Sequence, residues 1–127
     1  MNDGTFSTKS QSPFGYCVSV PKLEQTYNKD EFKQSDVDAF VEKHKNLLEK
    51  QDYFYGIWTH LGKVYLDVTK CYSDKMKACY HGILAHQKAI YDLSKGESIF
   101  LPEPQTSGTL AQQSSFAWME AEKLCKQ

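Results

Sequence analysis

The chain has no arginine. All 15 basic residues are lysine, set against 16 acidic ones, for a net charge of −1. Arginine supplies the planar forks that clamp phosphates and read guanine edges, so its absence, without any basic excess, weighs against nucleic acid as a partner. Long hydrophobic runs are missing too. The longest, such as "FYGIW", are about five residues, where a membrane-spanning helix needs ~20. The four cysteines, Cys17, Cys71, Cys79 and Cys125, form no CxxC pair. The opening stretch "MNDGTFSTKSQSPFG" lacks the basic-then-apolar pattern of an export signal. Together these predict free thiols in an intracellular protein. There is no glycine-rich phosphate loop and no H-E-x-x-H. Cys79 and His86 could share a helix face, but two ligands make no zinc site, so neither cofactor nor metal is expected.

What is present suffices for a core. At 127 residues, 40% hydrophobic and 13% aromatic, the chain reads as one globular domain without need of staples. Residues 1–14 read as a polar tail, 15–101 as the folded domain, and 102–127 as a linker with a short C-terminal helix.

"GYCVSV" (15–20) alternates and ends at Pro21, which predicts a first strand. Residues 21–34 read as a polar connector. In "SDVDAFVEKHKNLLEKQ", Val37, Phe40, Val41, His44, Leu47 and Leu48 fall on one helix face. Ser35 with Asp38 stands in capping-box position. "YFYGIWTHLGKVYLDV" (53–68) predicts two strands joined by a two-residue turn at Leu61-Gly62. That register sets His60 against Lys63, Trp58 against Tyr65 and Tyr55 against Val68. One hairpin face is then Tyr55, Ile57, Val64, Leu66 and Val68, a core face. The other carries Phe54, Trp58, Tyr65 and Asp67. "SDKMKACYHGILAHQ" (73–87) predicts a second helix capped by Ser73, with Gly82 an anomaly inside it. "KAIYDL" (88–93) predicts a fourth strand, and "SIFLP" a short extended piece.

The order β-α-β-β-α-β predicts an α+β, ferredoxin-like fold: a four-stranded antiparallel sheet with two helices on one face. The other sheet face is then open, and its aromatics need a cover. The C-terminal segment, a protein partner or second copy, and single-stranded nucleic acid stacked on Phe54, Trp58 and Tyr65 are the three possibilities. Asp67 and Asp92 on that face repel phosphates.

"GKVYLDV" (62–68), followed by a helix and then "HQKAIYDL" (86–93), resembles a group of small proteins encoded by bacteriophages and other mobile elements. Their second strand reads "NQ-AI-DL"-like, so His86 stands where asparagine is typical. The resemblance spans roughly residues 15–100. It implies a phage or mobile-element origin, hence the host cytoplasm or a virion, and transfers no catalytic residue.

Two enzymatic arrangements can be drawn: a Cys17 nucleophile, or an Asp67/Asp92 carboxylate pair. No base–orienter set accompanies either. His44, on an apolar helix face, reads as a satisfied core or boundary histidine. Lys70, Lys75, Lys77 and Lys88 make a local positive region that reads as a solvated face. The expected role is therefore non-enzymatic protein–protein contact, by self-association or with another protein, as an inhibitor of a host factor or a minor component of a virion or other assembly. The candidate interface residues are Phe54, Trp58, Tyr65, Asp67, Ile90, Asp92, Phe116 and Trp118.

Overall fold

A computed structural model describes residues 2–126. The chain divides into two compact units: residues 2–13 with 22–70, and residues 14–21 with 71–126. The second unit is thus interrupted in sequence by the main segment of the first.

The first unit is built on a hairpin of β4 (Tyr53–His60) and β5 (Lys63–Tyr72), the last two residues of β5 belonging to the second unit. Its register is the expected one, from His60 opposite Lys63 to Tyr55 opposite Val68. Leu61 and Gly62 both take positive φ, 48° and 76°, the backbone that a two-residue turn between twisted strands requires. Two further strands join it. β1 (Gly4–Phe6) pairs antiparallel with β4, and β3 (Gln25–Asn28) pairs antiparallel with β5 over Lys63–Leu66. α1 (Gln34–Lys43) buries Val37 and Phe40, and the short α2 (Lys45–Leu48) buries Leu48 and packs on β4.

The second unit contains β2 (Tyr16–Ser19), α3 (Lys75–Leu84), β6 (Ala89–Asp92), β7 (Glu97–Phe100) and α4 (Leu110–Cys125). β6 pairs antiparallel with β2 on one side and with β7 on the other. Its core gathers Val18, Ala78, Cys79, Ile90 and Ala121, with Met76, Ile99, Leu101 and Leu124 against them. Gly82 is needed here. A Cβ on it would stand 2.6 Å from Leu101 Cδ1 and 2.8 Å from Ile90 Cγ2, so the bare backbone lets α3 settle onto the strand.

The α+β character stands, but the ferredoxin-like fold does not. Seven strands and four helices are present among the described residues, not four and two. β1 lies in the segment read as a tail, and β3 in the segment read as a connector. Neither carries the apolar alternation that marks a buried strand: "QTYN" alternates half-buried and exposed positions, with none buried. Such strands are held by ladder hydrogen bonds to a strong neighbour rather than by burial of their own side chains.

The helix boundaries shift for local reasons. α1 starts at Gln34, where the Asp36 carboxylate accepts the Lys33 N–H at 3.0 Å; Asp38 accepts from Gln34 instead of boxing with Ser35. The helix then breaks at His44, φ −107° and ψ 19°. Asp74, not Ser73, caps α3, accepting the Met76 N–H at 2.8 Å. α4 begins well before Phe116, because Thr109 and Gln112 form a reciprocal capping box.

The cysteines also depart from expectation. Cys17 and Cys71 form a disulfide, S–S 2.01 Å, within the second unit; Cys79 and Cys125 are free. The bond joins residues 54 apart in sequence and closes the excursion of residues 22–70 at its base. No spacing rule points to it, because the partners meet only through the fold.

Candidate interaction surface

The hairpin face expected to lie open is largely covered. Phe54 is 0% exposed. Its cover comes from the N-terminal segment of its own unit: the Lys9 ammonium sits 4.3 Å above its ring. Lys9 Nζ also donates to the backbone carbonyls of Leu48, at 3.0 Å, and Tyr53. Burial lowers the Lys9 pKa, against the pull of Asp52. Gln11 grips Asp52 through two hydrogen bonds, and Asp3 accepts from the Thr59 hydroxyl at 2.7 Å. Polar contacts with backbone and carboxylates, invisible as an apolar pattern, thus tie down a segment that reads as a tail.

Asp67 is buried, while Trp58 and Tyr65 are half-buried. Trp58 Nε1 and Asp67 Oδ1 share the space above Gly56, where any Cβ would collide with them. Burial raises the pKa of Glu24, and the nearby Asp67 carboxyl raises it further.

In the second unit, Ile90 is buried in the core and Asp92 is buried at the end of β6, where a turn begins. The Asp92 carboxylate accepts from the Ser94 hydroxyl at 2.8 Å and from the Ser94 and Lys95 N–H groups. The Ser94 bond leads the causes that lower its pKa. Those bonds give Asp92 a turn-closing role. Asp67 and Asp92 belong to different units, and Cys17, as half of a disulfide, is not a thiolate nucleophile. Burial, with Cys125 beside it, pushes the Cys79 thiol up to about 11, which keeps that sulfur unreactive at neutral pH. Among the described residues no group of three or more His, Cys, Asp or Glu side chains could hold a metal ion, and no helix is long and apolar enough to cross a membrane.

His44 is not the satisfied histidine expected. Its Nε2 is buried without a hydrogen-bond partner, and its ring packs on Phe40 at 4.6 Å. Burial lowers its pKa, and Lys43 lowers it further.

Six large apolar side chains are exposed among the described residues: Leu61, Leu84, Phe100, Leu110, Trp118 and Met119. Five belong to the second unit, three of them to α4. Ala117 and Ala121 face α3, so the residues half a turn away face outward. Ala111, Gln112, Ser115 and Met119 form that outward crest, Met119 being 57% exposed. From Leu110 to Met119 the helix carries no charge.

A groove runs along each side of the crest. One, of about 500 Å³, is lined by Tyr80, Ser114, Ser115, Trp118 and Met119. Contacts tie its wall together: the Tyr80 and Trp118 rings meet edge to face at 5.1 Å, and the Tyr80 and Ser114 hydroxyls lie 2.6 Å apart. The other, of about 680 Å³, is lined by Gln105, Ser107, Gly108, Gln112, Phe116 and Met119 among others. Of the residues expected to bind, only Phe116 and Trp118 belong to this surface. The Thr109–Gln112 capping box was the readable sign that the helix starts early enough to present it.

No family model matches the chain, and no curated protein or solved structure matches it.

Proposed function

We propose that this chain is a non-enzymatic protein of a bacteriophage or other mobile element, and that it acts by protein–protein contact through the α4 surface. The observation that carries this reading is the gathering of exposed Trp118 and Met119 on an uncharged helix stretch with a groove on each side. Large exposed apolar side chains cost solubility and mark contact sites when they cluster. Aromatic anchors set against a firm wall supply most of the energy in such contacts. The "GKVYLDV" and "HQKAIYDL" strands support the origin. The disulfide favours a virion or another oxidising site over the host cytoplasm, where thiols stay reduced.

The test is affinity capture from the host with the wild-type chain and the Met119→Lys variant side by side. A protein retained by the first and lost by the second, and then shown to bind saturably when purified, is the expected result. Identical captures from the two chains would refute the reading.

A further inference from the structure

We infer that residues 8–11 form a strap that neutral His44 keeps closed, and that protonation of this imidazole frees the strap from α2 and lifts Lys9 off the Phe54 ring. The whole device lies within the first unit. Its two parts are the joint between α1 and α2, and the segment fastened to the end of α2.

The joint is His44. Its N–H closes α1 on the Phe40 carbonyl at 3.1 Å, and its carbonyl starts α2 by accepting the Leu47 and Leu48 N–H groups at 3.1 and 2.9 Å. A helix of four residues does not stand alone in water. Here α2 stands because His44 starts it and β4 backs it. The imidazole packs on Phe40 with Nε2 buried and unpartnered, an arrangement that suits a neutral ring. A proton there puts a charge where no acceptor waits.

No surrounding ionisable group offers relief. Lys43 and Lys45 flank His44 in the chain, and Lys9 adds a third cation at the far end of α2. On α1, Asp38 and Glu42 are exposed. Past α2, Glu49 is exposed and Asp52 is engaged by Gln11. β4 contributes the phenols of Tyr53 and Tyr55, burial raising the Tyr55 pKa, and His60 stands exposed at its other end. The imidazolium therefore reaches water only if the joint turns outward, and that movement carries the start of α2 with it.

The strap is fastened to the same short helix. The Leu48 carbonyl accepts from the Thr8 hydroxyl at 3.4 Å and from Lys9 Nζ at 3.0 Å. Lys9 Nζ donates a second bond to the Tyr53 carbonyl and lies 4.3 Å above the Phe54 ring. Burial disfavours this ammonium, so both carbonyls are needed to hold it. A shift of Leu48 removes one of them together with the Thr8 contact. Residues 3–6 have a separate hold, through the β1–β4 ladder and the Asp3 bonds to Thr59, which confines the opening to the strap and α2.

Hydrogen exchange followed by NMR on the intact, oxidised chain tests this from about pH 7.5 to about pH 5, with intrinsic exchange rates divided out. The Asp52 N–H donates to Gln11 at 2.7 Å and reports the strap; the Leu47 and Leu48 N–H groups report α2. Their protection should fall together, by up to about tenfold per pH unit below the His44 midpoint. The β4–β5 ladder amides should keep theirs. The His44 ring resonance should titrate with the same midpoint, below the ordinary histidine value. His44→Phe should abolish the pH dependence. Lys9→Met should lower Asp52 protection at every pH and leave little further response to acid. The wild-type titration and Lys9→Met decide the matter even where His44→Phe fails to fold. Protection that stays flat through the His44 titration, a loss shared equally by the hairpin amides, or the same loss in His44→Phe overturns the inference.

Discussion

Reduction of the Cys17–Cys71 disulfide should cost this protein about 4 kcal/mol. The magnitude follows from the loop that the bond closes. A cross-link removes conformations from the unfolded chain in proportion to the logarithm of the loop length. For a sequence separation of 54, the loop-closure relation yields about 14 cal/mol/K, or about 4 kcal/mol at 25 °C. Domains of this size are stable by only ~5–15 kcal/mol, so the bond supplies a large share of the total. The melting temperature should fall by about 15 °C on reduction. Urea unfolding, followed with and without a non-thiol reductant, measures the loss while leaving every side chain in place. The m-value should be larger for the reduced chain, whose unfolded state is more expanded. Thiol titration of the oxidised, unfolded protein should find two free cysteines, Cys79 and Cys125. Four free thiols, or a loss under about 1 kcal/mol, would refute the reasoning that this bond anchors the excursion of residues 22–70.

Three further outcomes are expected. Gly82→Ala should destabilise by up to about 2 kcal/mol, because overpacking against Leu101 and Ile90 outweighs the ~1 kcal/mol of helix propensity gained; a stabilised variant in thermal melts would mean that α3 has room to shift. Leu61→Asn should stabilise by about 0.5–1 kcal/mol, since an exposed leucine at φ 48° gains nothing from burial and pays for the left-handed backbone that asparagine tolerates. For His44 the folded pKa lies below the unfolded one, so the unfolded chain takes up the proton first. Stability is then full above about pH 6.5 and falls as the pH drops below it, at no more than about 1.4 kcal/mol per pH unit. His44→Phe should flatten that part of a pH series of urea midpoints, and an unchanged slope would place the titration elsewhere.

Local pattern sufficed wherever a segment buries its own apolar face. The β4–β5 hairpin, down to its register and the positive φ at Gly62, could be read from alternation and one turn dipeptide. So could the Val37, Phe40 and Leu48 face, the helix around Met76–Ile83, and the strand at Ala89–Asp92. These are short-range agreements between side-chain period and backbone period, and they survive without knowledge of the rest of the chain.

Tertiary structure alone decided the remainder. β1 and β3 exist because β4 and β5 offer them hydrogen bonds, not because "GTF" and "QTYN" demand a sheet. Phe54 is buried because Lys9, 45 residues earlier in sequence, finds two carbonyls to bind above it. Gly82, an anomaly in a helix, becomes a requirement once Leu101 and Ile90 press on it. Cys17 and Cys71 pair because the fold brings strands from two parts of the chain together, and nothing in their spacing says so. The candidate surface moved for the same reason. Phe54 has a cover that only folding supplies, whereas α4 keeps Trp118 and Met119 outward because its two alanines, Ala117 and Ala121, already occupy the face that packs on α3.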